Sequence, residues 1–214
     1  MIYPHTALRF INDKIGYGVF ATQFIAKGTI TWVRDELDQT LPPDCFTTMP
    51  TIFHNQLYKY TYRDEAGNFV LCWDLGRFMN HSCDPSCLGY GLDFEVAIGD
   101  IQPGEELTSD YATFNLLPHE SFVCSCGSPR CRAMVMPDDE TRLARPWTEA
   151  INEALQIMQT VPQPLWTLMK ADYVAKASKQ LEIEIGVLCT TPQKGIAHSE
   201  MRESHVKEYF DLLP

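Results

Sequence analysis

Two stretches of the chain alternate hydrophobic with polar residues, and each is interrupted by a turn. In residues 16–33, GYGVFATQFIAKGTITWV, an apolar run precedes a Lys-Gly turn, and Ile30 and Trp32 then alternate with threonines. Residues 94–111 repeat this arrangement around a Gln-Pro-Gly turn. Alternation of this kind is typical of β-strands. Each stretch is therefore predicted to form a strand, a loop and a second strand.

The segment between these stretches is rich in aromatic residues and lacks sustained helical periodicity. Residues 64–68 predict a hairpin turn. Tyr58, Tyr60 and Tyr62 alternate along a stretch that is predicted to be extended. Two interpretations stay open for these tyrosines. They either line a channel in which aromatic faces hold a cation, or they form one face of an ordinary sheet.

The pattern changes to a helical period near residue 137. Residues 146–160, PWTEAINEALQIMQT, begin at a proline, which suits the first position of a helix. Three apolar residues share one face of this helix: Ile151, Leu155 and Met158. A second helix is predicted from about Leu165 and a third over residues 200–212. The expected fold class is mainly β, built of short sheets, followed by a C-terminal α-helical region.

Composition narrows the class of protein. The chain has 214 residues, of which 45% are hydrophobic and 21% charged, as expected of a folded protein with one substantial core. It has no apolar run of about 18 residues, and its first residues lack the order of a secretory signal. The sequence therefore predicts a soluble protein of a reducing intracellular compartment, either cytoplasmic or nuclear.

The formal net charge of −11 limits the partners that the chain is expected to bind. A strongly acidic surface repels phosphate backbones, so no direct binding to nucleic acid is predicted. No membrane association is predicted either. A basic protein or peptide is a suitable partner, although an excess of acid also serves solubility alone.

Three cysteines, Cys124, Cys126 and Cys131, follow the pattern C-x-C-x₄-C in a loop that also contains glycine and proline. A bent loop allows three thiolates to converge on one Zn²⁺, whereas the alternative is a set of free or disulfide-bonded surface cysteines. Structural zinc takes four ligands, so one must come from elsewhere in the chain. The candidates are His81, Cys83 and Cys87.

Two other functions have weaker support. Residues two positions apart, such as His81 and Cys83, are not expected to form the hydrogen-bonded pair that a cysteine nucleophile needs. The Gly-x-Gly of residues 16–18 lacks the third glycine of a dinucleotide-binding fingerprint. It indicates a turn or a close approach of the backbone to a ligand.

Four segments occur in a defined order. They are GYG at 16–18, RFMNHSC at 77–83, GEELTSDY at 104–111, and FVCSCG at 122–127 with CR at 131–132. Over about residues 8–135 the chain resembles the SET-domain protein lysine methyltransferases that carry a zinc-binding post-SET segment. The resemblance implies three regions: a SET domain at 1–116, a post-SET zinc segment at 117–135 and a C-terminal helical region at 140–214.

In this family the N-H-S-C segment threads beside the E-L-T-x-D-Y segment in a pseudoknot, and the two build the S-adenosylmethionine pocket. The implied cofactor-binding residues are Gly16, Tyr17, Gly18, Asn80, His81 and Phe122. The resemblance makes Cys83 the fourth zinc ligand beside the three clustered cysteines, and Tyr111 the catalytic tyrosine.

The implied activity is transfer of methyl groups from S-adenosylmethionine to a lysine side chain of a basic protein, with a histone as the leading candidate. The rival interpretation is a SET-fold module that binds a protein without methylating it. The C-terminal helices lie outside the resemblance. They are expected to pack on the catalytic domain, to form part of a substrate groove, or to hold a homodimer together.

The chain departs from the family pattern at several positions. Ser86 replaces an asparagine, and the Cys87 that follows competes with Cys83 for the metal. Lys14 is one place off the usual spacing, so no cofactor role is assigned to it. The family often has Phe or Tyr at the position of Ser109. Because serine is small and leaves room, the sequence predicts at least dimethylation.

Overall fold

A computed structural model describes residues 1–181 of the chain. Short β-strands dominate, and the longest helix follows them. The strands are β1 (Thr6–Asn12), β2 (Gly16–Ala21), β3 (Ile30–Val33), β4 (Gln39–Leu41), β5 (Thr61–Arg63), β6 (Phe69–Leu71), β7 (Asn80–His81), β8 (Cys87–Leu88), β9 (Phe94–Ala97), β10 (Glu106–Ser109), β11 (Phe122–Val123) and β12 (Met134–Val135). The α-helices are α1 (Cys45–Thr48), α2 (His54–Tyr60), α3 (Asp139–Ile157) and α4 (Ala171–Leu181). The predicted fold class, mainly β with a C-terminal helical region, is confirmed.

The strands form small sheets. One sheet has the order β1-β2-β10-β7, a second has β3-β9-β8 and a third β4-β6-β5, while β11 and β12 form a hairpin. The strand–loop–strand predictions for residues 16–33 and 94–111 are confirmed, and so is the hairpin at residues 64–68, which joins β5 to β6.

One pairing decides which residues of the two main motifs lie together. Strands β7 and β10 run parallel, with Asn80 opposite Thr108 and Ser109 opposite His81. This pairing sets the Asn-His dipeptide beside the strand that leads into Tyr111. Segments that are distant in sequence thus meet at one edge of the sheet. The threading of the chain through a pseudoknot stays a prediction.

Helix α3 closes the main hydrophobic core. Ile151, Leu155 and Met158 are almost completely buried, as the helical pattern predicted, and they belong to the same apolar cluster as strands β3 and β9. The predicted start of this helix was wrong, because α3 begins at Asp139 and contains Pro146 in its interior. Acidic residues in the first turn favour the helix dipole and help an early start. Within residues 1–181, no helix is long and apolar enough to cross a membrane.

The prediction for the second C-terminal helix was only partly right. Leu165 is buried, but the chain there forms a 3₁₀ turn, Trp166–Leu168, and α4 starts at Ala171. The third predicted helix, residues 200–212, lies outside the described residues. The described helices pack on the β region, whereas a role in dimerisation stays a prediction.

The extended stretch predicted for the three alternating tyrosines was wrong. Tyr58 and Tyr60 lie in α2, and only Tyr62 lies in a strand, β5. Seven residues make barely two helical turns, too few for a helical period to stand out against the alternation of aromatic residues.

The contact between α3 and the loop before β3 predicts the effect of a substitution. Gly28 has φ of +88°, and a Cβ there would lie 2.8 Å from the carbonyl oxygen of Ala154 and 3.0 Å from Cγ1 of Ile157. Gly28→Ala is expected to lower the free energy of unfolding by about 2 kcal/mol through backbone strain and overpacking, measured by urea denaturation. Gly99→Ala is the control, because a Cβ at Gly99 meets nothing within 4 Å. Equal stability of the two variants would contradict the prediction.

Candidate active site

A cavity of about 400 Å³ lies beside Tyr111. Helix α2, strand β5, the residues before β7 and the segment before β11 supply its walls. Aromatic side chains dominate the lining and include Tyr58, Tyr60, Tyr62, Phe114 and Phe122. Polar and charged residues also line it: Lys59, Thr61, Arg63, Arg77, Glu95, Ser109, His119, Glu120 and Ser121. Glu95, Ser109 and Tyr111 lie together on the side formed by β9 and β10 and the residues that follow β10.

One rim of the cavity is fixed by Glu120. Its Oε1 accepts hydrogen bonds from the Tyr58 hydroxyl at 2.9 Å and from an Arg63 guanidinium nitrogen at 3.0 Å. Its Oε2 accepts a bond from the backbone N–H of Leu117 at 2.6 Å. Burial and the neighbouring carboxylate raise the pKa of Tyr58 to about 12. Glu120 therefore ties the segment that leads into the cysteine-rich loop to α2 and β5.

Tyr111 is held at both its backbone and its hydroxyl group. Its hydroxyl donates a hydrogen bond to the carbonyl oxygen of Met79 at 2.7 Å, and its backbone N–H donates to Nδ1 of His81 at 3.1 Å. Burial raises the pKa of Tyr111, and the charges of Glu106 and Glu95 add to the effect. The hydroxyl therefore keeps its proton, which is directed at Met79, and its oxygen lone pairs stay available to accept a bond.

His81 is a neutral ring with a defined tautomer. Since Nδ1 accepts a bond from Tyr111, the proton lies on Nε2, which is 3.3 Å from Sγ of Cys83. Burial lowers the pKa of His81 to about 4. The expectation that His81 and Cys83 would not pair was wrong. A protonated Nε2 donates to the sulfur and cannot take its proton, so the contact still does not make Cys83 a base-activated nucleophile.

The residues predicted to bind the cofactor lie in two groups. Asn80 donates its amide N–H to the carbonyl oxygen of Tyr17 at 3.0 Å and to Oε1 of Glu106 at 2.7 Å. A Cβ at Gly18 would lie 2.2 Å from that Oε1, so a larger residue there would displace the Glu106 carboxylate from its present position. Gly16 has φ of +87°, in the region that favours glycine.

Among the six predicted cofactor-binding residues, only Phe122 lines the 400 Å³ cavity. Its ring packs edge-on against His81 at 5.4 Å and lies 6.1 Å from the ring of Tyr111. Phe122 and Tyr111 therefore touch both the cavity and the His81 side of the site. The cofactor assignments of Gly16, Tyr17, Gly18, Asn80, His81 and Phe122 stay predictions.

The four cysteines predicted to bind metal come together. The Sγ atoms of Cys83, Cys124, Cys126 and Cys131 all lie within 4.8 Å of one another. Four sulfurs at 2.3 Å from a tetrahedral Zn²⁺ would be about 3.8 Å apart, and the sulfurs of Cys83 and Cys124 are 3.7 Å apart. Cys87 is not in this group, because it is fully buried in a different apolar cluster.

Backbone N–H groups point at these sulfurs. Arg132 donates its N–H to Cys83, Cys126 to Cys124 and Ala133 to Cys131, each at 3.4 Å. Such bonds favour the thiolate form that a metal needs, whereas burial raises the pKa of Cys83 and of Cys124. Burial opposes ionisation of Cys126, but the hydrogen bonds around it outweigh burial and lower its pKa to about 7. The donor set fits a structural zinc ion, and the assignment stays a prediction.

A buried ion pair joins the cysteine-rich loop to the residue before Tyr111. Arg132 donates two bonds to the Asp110 carboxylate, at 2.7 and 2.8 Å, and a third bond to Oδ2 of Asp139 at 3.2 Å. Both carboxylates are fully buried. The resemblance included Arg132 in its cysteine motif, but nothing in the pattern identified its two partners.

Sequence reasoning also missed Glu95. All four residues of β9 are buried, and Glu95 lies between Phe94 and Val96 with its carboxyl in the protein interior. Oε1 accepts a bond from the Ser109 hydroxyl at 2.6 Å, while Oε2 has no partner among the described residues. A charged residue within an apolar strand pattern was the signal that would have identified it.

Residues 16–112 match the family described as the SET domain. The matched range includes the predicted glycine pair, the N-H-S-C segment and Tyr111. The cysteine cluster of residues 124–131 lies beyond the matched range.

Three relatives agree with this family. The chain is 31% identical over 138 residues to "Histone-lysine N-methyltransferase ash1" of Drosophila melanogaster, a match that covers 59% of this chain and 6% of the relative. It is 30% identical over 144 residues to "Histone-lysine N-methyltransferase ASHH2" of Arabidopsis thaliana, covering 61% and 8%. It is 27% identical over 160 residues to "Histone-lysine N-methyltransferase, H3 lysine-36 specific" of Schizosaccharomyces pombe, covering 69% and 20%. The chain thus spans a small part of each.

The buried ion pair predicts a large effect of one substitution. Arg132→Gln would leave the buried Asp110 carboxylate without its arginine and would leave Asp139 paired only with the half-exposed Arg142. The free energy of unfolding is expected to fall by roughly 3–5 kcal/mol, measured by urea denaturation. Arg130→Gln is the matched control from the same loop, since this side chain is 75% exposed and pairs with Asp84 at the surface. Its expected cost is below about 1 kcal/mol, and comparable losses in the two variants would refute the structural role of Arg132.

Proposed function

We propose that this chain is an S-adenosylmethionine-dependent protein-lysine N-methyltransferase that acts on a basic protein, with a histone as the leading candidate. The SET domain and relatives named histone-lysine N-methyltransferases support this proposal. The observation that carries it is the position of Tyr111, whose hydroxyl is fixed on Met79 at the wall of a cavity that is lined by aromatic side chains.

The cavity suits the side chain of a lysine. Aromatic walls pack against its methylene stem, and aromatic faces attract its terminal cation. Tyr58, Tyr60 and Tyr62 all contribute to this lining although two of them lie in a helix. Their position supports the channel interpretation over that of an ordinary sheet face. The net charge of −11 also favours a basic substrate.

The chemistry is an in-line displacement, so the amine and the methyl donor approach the methyl carbon from opposite sides. The proposal therefore needs two adjoining sites, with the lysine in the cavity and the methyl donor on the side of His81. Tyr111 and Phe122 line the cavity, and the ring of Tyr111 also packs near that of His81. The sulfonium of S-adenosylmethionine supplies the electrophilic methyl group when it is bound. Tyr111 would orient the amine through the lone pairs of its hydroxyl oxygen.

The residues around the Asn80 amide fit a ligand with an ammonium group and a flat ring. The Tyr17 carbonyl and the Glu106 carboxylate are acceptors on either side of the Asn80 amide. Tyr17 is half exposed and its ring meets that of Phe78 at 6.4 Å. These groups would hold the methionine amine and the base of S-adenosylmethionine.

The cysteine cluster would bind one Zn²⁺ through Cys83, Cys124, Cys126 and Cys131. The ion would hold the loop that follows Phe122 against the residue that follows His81. Its role is structural, because all four coordination positions are taken by protein sulfurs.

The rival interpretation is a SET-fold module that binds a lysine-containing protein without methylating it. The cavity and its aromatic lining suit either function. The fixed Tyr111 hydroxyl favours catalysis, since binding alone does not need a tyrosine oxygen held on a backbone carbonyl at 2.7 Å.

Tyr111→Phe tests the proposal directly. Loss of the hydroxyl removes the group that orients the amine and is expected to lower methyl transfer at least about 10²-fold with little change in stability. The assay uses labelled S-adenosylmethionine with core histones and a whole-cell lysate, followed by mass spectrometry of the labelled band. Tyr90→Phe is the control, because its hydroxyl bonds Glu140 outside the cavity. A wild-type protein that binds the cofactor but labels nothing would favour the binding module.

Metal removal provides an independent test. Chelation is expected to extract about one zinc ion per chain and to abolish activity by releasing the cysteine-rich loop, while the strands of the core keep their circular dichroism signal. Cys126→Ser should lose zinc, whereas Cys45→Ala, at a buried cysteine outside the cluster, should retain it. Full activity of the metal-free protein would refute the prediction that zinc is needed for activity.

A further inference from the structure

Glu95 is a buried acid at the wall of the candidate lysine cavity. Its side chain lines the cavity beside Tyr111 and Ser109, and the residue is 5% exposed. Oε1 accepts the Ser109 hydroxyl, and Oε2 lacks a partner among the described residues. Trp32, directly opposite in the β3–β9 pairing, also lines the cavity with an indole N–H that has no partner there. Buried polar atoms of this kind are costly unless a ligand or water completes them.

The groups that face Glu95 do not stabilise its charge. They are Tyr111, Cys72 and Cys87, and burial raises the pKa of each, with a further contribution from the Glu95 charge, so all three stay protonated. Burial raises the pKa of Glu95 itself to about 7, and only the bond from Ser109 opposes the shift. Within the described part of the chain, no cation pairs with this carboxyl. The ammonium of an incoming lysine would therefore be its first cationic partner.

We propose that Glu95 is the proton acceptor for the substrate amine, acting directly or across one bound water in the same cavity. This inference rests on the proposed function. The substrate class follows from the proposed reaction: a primary or partly methylated amine that enters as its ammonium form and must lose one N–H before it can attack.

The step balances as follows. The lysine ammonium gives one proton to the Glu95 carboxylate, leaving a neutral amine and a neutral carboxylic acid. The amine lone pair then forms the N–C bond as the C–S bond of the sulfonium donor breaks, and the bonding pair stays on sulfur as a thioether. The product is a methylated ammonium, and Glu95 returns its proton to solvent before the next cycle.

The energetics favour such an acceptor. An isolated lysine has a pKa of about 10.4, so its deprotonation at pH 7 costs roughly 4–5 kcal/mol. A nearby sulfonium and a dry cavity lower the pKa of the amine. A carboxyl that titrates near neutral pH is matched to proton transfer at that pH far better than water is.

The test is the pH dependence of kcat/KM for wild type and Glu95→Gln, measured with the peptide that carries the labelled lysine. Glutamine is isosteric with the protonated acid and can still accept the Ser109 hydrogen bond. Wild type is expected to show an acid limb near pH 7. Glu95→Gln is expected to lose this limb, to fall about 10²-fold at pH 7.5, and to rise with pH as the free amine appears.

A substrate analogue separates proton removal from a structural effect. A peptide with γ-thialysine in place of lysine has an amine of lower pKa, so the Glu95→Gln penalty should shrink with it. Ser109→Ala provides a second variant that keeps the carboxyl. Because the Ser109 bond lowers the Glu95 pKa, its loss should move the acid limb to higher pH. Glu153→Gln, at an exposed carboxylate of α3, is the matched control and should leave the profile unchanged.

The outcomes distinguish the two levels of proposal. Two results with an active wild type would overturn the role of Glu95 alone. One is an acid limb that persists in the Glu95→Gln variant. The other is a loss of activity in Glu95→Gln that is equal for the lysine and γ-thialysine peptides. A wild type that binds S-adenosylmethionine but transfers no methyl group overturns the proposed function, and the inference with it.

Discussion

The largely buried ion pair between Arg132 and Asp110 connects three parts of the molecule that are distant in sequence. The same arginine donates its side chain to Asp110 and Asp139 and its backbone N–H to Cys83. Asp110 in turn accepts the N–H of Ala112 and so shapes the turn that contains Tyr111. Because removal of one member would leave a bare charge in the interior, the cysteine-rich loop, the start of α3 and the tyrosine must keep one relative arrangement.

In this arrangement Tyr111 lies between two different environments, the cavity and the ring of His81. On one side lies the cavity, whose lining is rich in aromatic side chains. On the other side the neutral His81 ring, bonded to the Tyr111 backbone and to Cys83, transmits the position of the cysteine cluster to the tyrosine. The cysteine-rich loop is therefore linked to Tyr111 through hydrogen bonds and ring packing.

The sequence was most informative where a residue type is required by local chemistry. Glycine at position 18, the clustered cysteines and the alternating strands each reflect a constraint that a short window contains. The start of α3 was misjudged because a proline is tolerated within a long amphipathic helix whose opposite face is buried. The helix that holds Tyr58 and Tyr60 is too short to outweigh alternation. The partners of Arg132 and Glu95 depend on tertiary contacts between strands and loops far apart along the chain, which no local pattern encodes.

The hydrogen bond between Ser109 and Glu95 bears on how many methyl groups the cavity could accommodate. The small side chain of Ser109 suggests room for a bulky methylated amine. Its hydroxyl, however, donates a hydrogen bond to the Glu95 carboxyl, so that carboxyl lies next to the space in question. The Glu95 carboxylate would interact differently with amines that carry different numbers of methyl groups. Each added methyl group replaces an N–H that could donate a hydrogen bond to this carboxylate. Under the proposed function, the extent of methylation would therefore be set by hydrogen bonding at Glu95 together with the volume beside Ser109.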